Sequence, residues 1–162
     1  MPTKLTLKSV AVIFISLLVL NACDSNISGS SSTLNSWLQG NPTQWADFAA
    51  HAEDGPVVML NLLKFATATD ENGKTGAQSY AEYLKLSGPI AARHGGIKLW
   101  SGAPTQQLIG DMEYDWDLVL LVSWPKRQNL LELANDPDYK AISHLRGAGL
   151  KRSMLIAMDE MK

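Results

Sequence analysis

Nine consecutive residues, VVMLNLLKF at Val57–Phe65, restrict the fold of this chain more than any other stretch. Gly55-Pro56 bounds them on one side and the polar run TATDENGKTG, residues 67–76, on the other, which is the pattern of a strand. Successive side chains of a strand point to opposite faces. Large apolar groups lie on both faces here, so both have to be covered. One layer of helices covers only one of them, and the other needs a second cover.

The rest of the chain supplies the helices. Asn41-Pro42 has an N-cap residue followed by proline at the first helical position, with Trp45, Phe48 and Ala49 at helical spacing behind it. A shorter helical piece is expected around residues 34–38. After Val57–Phe65, residues 77–94 read as a helix with Tyr80, Tyr83, Leu84 and Ile90 on its core side, a kink at Pro89 and a stop at Gly95-Gly96. Residues 97–109 read as a second strand, irregular at Gly102 and Pro104. The segment GDMEYD reads as a hairpin loop and residues 116–124 as a third strand ended by Pro125. Residues 126–134 read as a helix, Asp136-Pro137 opens another running to about Arg146, and residues 154–158 form the last strand. The order is a helix followed by βαββαβ, a ferredoxin-like α+β arrangement: a four-stranded antiparallel sheet with helices on one face. Along the third strand Trp116, Leu118, Leu120, Val122 and Trp124 share one side, while Val119 and Leu121 take the other. The sheet face left bare by the helices is apolar, and its simplest cover is a second copy, giving a two-fold homodimer.

The first 22 residues have a different character. Lys4 and Lys8 precede an apolar run of about eleven residues at 10–20, too short for a bilayer-spanning helix of roughly 20 residues. A cationic head and a short apolar run mark a secretory signal peptide, which is set aside in fold reasoning. Leu20-Asn21-Ala22-Cys23 resembles the lipobox of bacterial lipoproteins, which implies cleavage before Cys23 and acylation of its thiol and new amine. Bulky Leu20 stands where an ordinary signal peptidase needs a small residue. Cys23 is the only cysteine, so no intramolecular disulfide can form, and lipidation accounts for the lone thiol. Two or more acyl chains anchor a protein stably where one does not. Residues 1–22 are thus expected to be a lipoprotein signal peptide, 23–33 the lipidated cysteine and a flexible Ser/Gly-rich tether, 34–56 an N-terminal helical appendage, and 57–162 the ferredoxin-like domain. The expected location is the bacterial cell envelope, anchored to a membrane through Cys23 and facing the periplasm or the cell exterior. Asp24 resembles the inner-membrane retention signal of enteric bacteria.

Without residues 1–22, 140 residues remain, with twelve basic side chains against sixteen acidic ones. That length supports one domain with a real core. The acidic balance excludes nucleic acid as an expected partner, since that needs a basic stripe. No internal repeat or charge run is present.

Several short motifs together resemble one family. GPVVMLNLLKF at residues 55–65 is similar to the opening strand of the DUF1330 family, part of the dimeric α+β barrel superfamily. Tyr80-x-x-Tyr83, His94-Gly95-Gly96, Trp116-Asp117, Trp124-Pro125, Asp136-Pro137-x-Tyr139 and His144-x-Arg146 follow in the matching order, so the resemblance covers about residues 40–160. It implies a ferredoxin-like subunit and a dimer closed sheet to sheet, and no established reaction. Superfamily relatives include cofactor-independent monooxygenases, haem-degrading enzymes, muconolactone isomerases and stress-response proteins, so fold alone does not carry the chemistry.

The polar residues that break the apolar pattern are the site candidates. Asn61 and Lys64, three apart on a strand, face opposite ways. Either one orients a ligand in a pocket, or Asn61 satisfies backbone while Lys64 snorkels at the strand end. Tyr139 and Arg146, seven apart, share a helix face; His144 lies about 140° round from Tyr139. Arg146 would stabilise a carboxylate or enolate and His144 would act as a general base, the pair forming the catalytic candidates. The alternative has Arg146 in a structural ion pair and Tyr139 packing its helix. Tyr80, Tyr83 and Trp116 complete the candidate pocket lining with Asn61, Lys64 and Tyr139. Trp100, Trp116 and Trp124 read as core, interface or pocket aromatics. His94 sits where the dipole of a helix C-terminus favours its protonated form. Asp111, Glu113, Asp115 and Asp117 have no calcium-loop spacing and read as a solvated loop. His51, His94 and His144 are too scattered for zinc, so neither a metal nor a cofactor is expected.

Two functions remain open. One is an enzyme that performs proton-transfer or oxygenase-like chemistry on a small apolar carbonyl or phenolic substrate between sheet and helices. The other is a non-catalytic envelope module that binds a small ligand or a partner protein.

Overall fold

The computed structural model describes residues 40–51, 55–69, 72–110 and 115–161. The expected signal peptide, lipidated Cys23 and tether, and the short helix expected around residues 34–38, lie outside the described residues, as do residues 111–114 of the GDMEYD loop.

Local capping sets the helix boundaries. Helix α1 (Pro42–Ala50) starts on Asn41, whose side chain accepts from Thr43 N at 2.8 Å while Gln44 accepts from Asn41 N. Helix α2 (Gly76–Arg93) starts on the reciprocal pair Thr75 and Gln78, which satisfies two otherwise orphaned donors. It continues through Pro89 and stops at Gly95, whose φ of 81° belongs to the left-handed region open to glycine. Helix α3 (Arg127–Asn135) and helix α4 (Pro137–Gly149) meet at Asp136, whose side chain accepts from Asp138 N to start α4.

The strands β1 (Val57–Phe65), β2 (Ile97–Gly102), β3 (Leu118–Trp124) and β4 (Leu150–Met158) form one antiparallel sheet in the order β2-β3-β1-β4. With α2 and α4 this is the ferredoxin-like α+β fold. β1 lies in the interior of the sheet, paired on both edges. Val57, Met59 and Leu63 turn toward the helices and are buried, and their cross-strand neighbours Trp124, Val122 and Leu118 share that side. Two buried clusters fill this layer. One holds Val57, Met59, Ile90, Trp124, Leu130 and Leu133; the other holds Leu63, Tyr80, Tyr83 and Leu150. Tyr139 packs against both.

The opposite face carries Val58, Leu60 and Leu62 from β1, Val119 and Leu121 from β3, and Met154, Ile156 and Met158 from β4, in register across the strands. None of them is buried. Trp100 joins them opposite Leu121 and is 53% exposed.

Three expectations need correction. β2 ends at Gly102, because its last ladder partner is Val119 and Pro104 cannot donate to a ladder. Residues 103–110 are irregular, with Leu108 and Ile109 exposed. β3 begins at Leu118 instead of Trp116, because Asp117 N donates to Leu63 O and the Asp117 carboxylate caps Phe65 N, turning the chain before the strand starts. β4 begins four residues earlier than expected, at Leu150, where Gly149 ends α4 directly.

Candidate functional site

On the helix-facing side of β1, Asn61 interrupts the apolar row between Met59 and Leu63. Its Nδ2 donates to Met59 O at 3.2 Å and to Leu120 O at 3.3 Å, so its amide nitrogen is tied to the sheet backbone. Asn61 marks the boundary between the two buried clusters.

The helices bring three tyrosines into this layer, of which Tyr139 packs against both clusters. Tyr80 and Tyr83 come from α2, with ring centroids 5.3 Å apart. The Tyr83 and Tyr139 hydroxyls lie 2.8 Å apart, joining α2 to α4. Burial pushes the Tyr80 phenol up to about 12, with Arg146 opposing the shift and Tyr139 adding to it. Burial also raises Tyr83 strongly, reinforced by the charge of Tyr139 and its hydrogen bond. Both phenols are therefore neutral hydrogen-bonding groups and cannot serve as bases near neutrality.

Arg146 completes the group. It is half-buried, donates from Nη2 to Ser153 Oγ at 3.1 Å, and its charge acts on both Tyr80 and Tyr83. Ser153 is buried on β4 opposite Leu63. Two turns of α4 place Arg146 on the face that Tyr139 buries. His144, two residues earlier, is exposed. The structure thus separates the two catalytic candidates: Arg146 turns into the layer and His144 does not.

Beyond Ser153 the helices leave the sheet uncovered. Leu155 shares the helix-facing side with Asn61, yet is 38% exposed, and Ala157 behind it is exposed too. The sheet beside Asn61 is thus exposed at Leu155 and Ala157, while Tyr80, Tyr83 and Ser153 stay buried.

The remaining candidates lie elsewhere. Lys64 is on the open sheet face at the end of β1, bonded to Asp117 at 3.0 Å and facing Arg152 across the ladder. Trp116 lies under the Arg152 guanidinium, 4.4 Å from ring centroid to charge, and Arg152 is also paired with Asp115. These residues form a charged border outside the helix layer, so Asp115 and Asp117 are held in ion pairs and are not a merely solvated loop. Trp124 is buried core. His94 caps α2 and its Nε2 lies 2.8 Å from Asp136 Oδ2. Arg93 binds the same carboxylate. The hydrogen bonds from His94 and then Arg93 hold the Asp136 carboxyl well below the usual range. Among the described residues no cluster of His, Cys, Asp and Glu could hold a metal ion.

Ser153 escaped the sequence reading. Its signal was a single small polar residue inside LKRSMLIAM, and the strand register that turns it toward Arg146 is not visible in the sequence.

The sequence pattern of DUF1330, a domain of unknown function, matches residues 73–159. Among solved structures, RPA0582, a protein of unknown function from Rhodopseudomonas palustris, is 32% identical with a TM-score of 0.71, over 77% of this chain and 97% of that one. Methylated RPA0582 is 32% identical with a TM-score of 0.70, over 77% of this chain and 95% of that one. No curated protein matches the chain. By the span of the sequence match and the identity to RPA0582, the chain belongs to the DUF1330 family.

Proposed function

We propose that this domain binds a small, mainly apolar molecule bearing a carboxylate, enolate or phenolate in the layer between sheet and helices, with Arg146 as its cation. The observation that carries the reading is the inward placement of Arg146 on Ser153, within electrostatic reach of Tyr80 and Tyr83. Pockets for small molecules are apolar with a few convergent polar groups. Here the converging groups are a guanidinium and three phenols, a set rich in donors. It suits a ligand that brings negative charge. Among the described residues it contains no side chain suited to accept a proton near neutrality, and His144 is exposed. The geometry therefore favours a binding module over general-base catalysis, and an enzyme of this design would act by stabilising a developing anion.

The apolar open face supports a homodimer closed sheet to sheet, since exposed apolar surface of this extent calls for a partner. The lipobox-like Leu20–Cys23 segment supports anchorage through Cys23 at a bacterial membrane, with the domain in the periplasm or at the cell exterior and Asp24 favouring the inner membrane.

Native mass spectrometry of the gently extracted protein tests the site. A co-purifying small acid should be lost in Arg146→Ala while the melting temperature stays near that of the wild type. A lower melting temperature with the bound mass retained would make Arg146 structural and end the proposal.

A further inference from the structure

The two edges of the sheet are built differently. β2 is short, carries a bulge between Lys98 and Trp100, and ends where Trp100 lies over Gly102, so close that a Cβ there would stand 2.6 Å from the ring. Bulges and short length keep an edge strand from pairing with another chain. β4 has neither. It is nine residues long, its register with β1 runs without a shift from Arg152 to Met158, and residues 153–158 contain no charge and no proline. Its outer edge pairs with nothing among the described residues. Exposure rises toward that edge on both faces. On the helix-facing side Met59 is buried, while its neighbour Ala157 in β4 is exposed, as is Leu155. On the other side Leu60 and Leu62 are half-buried, while their neighbours Ile156 and Met154 are exposed. Met154, Leu155, Ile156 and Met158 stand at 37%, 38%, 38% and 36%. A cover laid on one face would leave the other open, whereas a strand added at the edge reaches both.

The charges at the ends of β4 select the strand that fits. The segment reads Lys151-Arg152, then six uncharged residues, then Asp159-Glu160. A parallel neighbour of the same sequence sets like charges side by side. An antiparallel one sets each basic pair against an acidic pair, so the strand is its own complement. We infer that the free edge of β4 pairs antiparallel with β4 of a second copy, about a two-fold axis through Leu155. The axis falls on a residue because opposed side chains share a face and a two-fold normal to the sheet preserves faces. Centred on Leu155, Lys151 opposes Asp159 of the second copy, Ser153 opposes Ala157 and Met154 opposes Ile156. Arg152 opposes Met158, with Glu160 diagonal to it on the same face. Asp159 accepts two bonds from Arg127, at 2.8 and 2.7 Å, and keeps 39% of its side chain exposed, so it is fixed in place and still reachable. One strand pair buries less than the roughly 1,200 Å² of a stable interface, so the association is weak, absent at low micromolar concentration and filled as concentration rises. It joins two four-stranded sheets edge to edge and leaves the open sheet face untouched, so it holds whether or not that face is closed by a dimer.

Hydrogen exchange on the wild-type full chain in a non-ionic detergent, from about 10 µM to about 1 mM, tests the pairing without any variant. The outward-pointing amides among residues 153–158 should gain at least about tenfold protection across the series while those of β2 stay unchanged. Exchange that never slows would overturn the pairing, and so would protection already complete at the lowest concentration, which would put another segment of the chain on the edge. Oxidative cross-linking of single-cysteine chains, in a Cys23→Ser background, reads the register. Leu155→Cys should join to its own counterpart, since the two positions lie about 5 Å apart on the axis. Ala157→Cys should not, because its counterpart lies four residues along the strand, about 13 Å away. Both positions face the helix side, so a sheet-to-sheet contact brings neither pair together. Adding Lys151→Glu to the Leu155→Cys chain should move cross-linking at least about tenfold toward higher concentration, because glutamate then faces Asp159 twice across the axis, whereas Lys151→Arg should leave it in place. Lys151 is exposed, so neither change disturbs the fold. Equal cross-linking of Leu155→Cys and Ala157→Cys would overturn the register, and indifference to Lys151→Glu would overturn the charge match that selects a second copy.

Discussion

Leu120 and Leu121 are neighbours in β3 with opposite surroundings, and aspartate at each gives opposite expected outcomes. Leu120 lies opposite Asn61 on the helix-facing side and is 6% exposed. Leu121 lies opposite Leu60 on the open face and is half-buried within the subunit. Leu120→Asp gives up about 2–3 kcal/mol of apolar burial. It also leaves an unpaired charge inside, worth about 3–5 kcal/mol more. The sum, roughly 5–8 kcal/mol, matches the whole stability of an ordinary domain, so this variant should not fold. Leu121→Asp should cost the subunit little, because its carboxylate can reach water. In a two-fold dimer, however, each change occurs twice across one interface. Two aspartates against the apolar partner face should weaken association by at least about 4 kcal/mol, a thousandfold in Kd. Circular dichroism and light scattering on residues 34–162 would read both outcomes: Leu120→Asp unfolded, Leu121→Asp folded and monomeric, wild type dimeric. A folded Leu120→Asp protein would show that the faces are assigned the wrong way round. A dimeric Leu121→Asp protein would remove the sheet face as the interface.

Three further outcomes follow from the local geometry. Gly149 stands where an added Cβ would lie 2.7 Å from Tyr80 N and 2.9 Å from Gly76 O, so Gly149→Ala must part α2 from α4; we expect a loss of about 1–3 kcal/mol and a fall in melting temperature of roughly 5–10 °C, and an unchanged melting curve would contradict the close approach. Because His94 and Arg93 hold Asp136 well below the usual carboxylate range, its contribution to stability is complete above the unfolded value of about 3.9 and fades as pH falls toward the folded one. Denaturant titrations below pH 5 should therefore show a shallower acid loss in Asp136→Asn than in the wild type, with equal slopes refuting the linkage. Cys23→Ser removes the thiol that would accept the diacylglyceryl group, so palmitate labelling should disappear and the protein should leave the membrane fraction; unchanged labelling would end the lipoprotein reading.

What the sequence made legible was local. Asn41-Pro42, Asp136-Pro137 and Gly95-Gly96 act on the backbone within a turn of themselves, and each stands at the helix end it signals. The parity of β3 was legible for the same reason, since alternation needs no partner. Which parity meets the helices was not, because Leu118, Leu120 and Val122 are as apolar as Val119 and Leu121; the choice is made by Trp124 and Val57 packing together against α3. The end of β2 was not legible for a related reason. Leu108 and Ile109 extend the apolar pattern, but a strand lasts only as long as its ladder, and Asp117 has already turned toward Leu63 and Phe65.

The site follows the same division. Seven-residue spacing put Tyr139 and Arg146 on one face of α4, and that much needed no tertiary information. Whether the face pointed inward depended on Tyr139, whose ring packs against both buried clusters while its hydroxyl meets Tyr83. Burying Tyr139 carries Arg146 into the layer, and the same rotation leaves His144, about 200° from Arg146, outside. A cation brought inward by an aromatic two turns away needs a polar group to receive it. Ser153 occupies that place because the register of β4 sets it opposite Leu63. The placement of Arg146 is thus a consequence of helix packing and strand register acting together, and neither is written in the His144-x-Arg146 motif by which the sequence first drew attention to it.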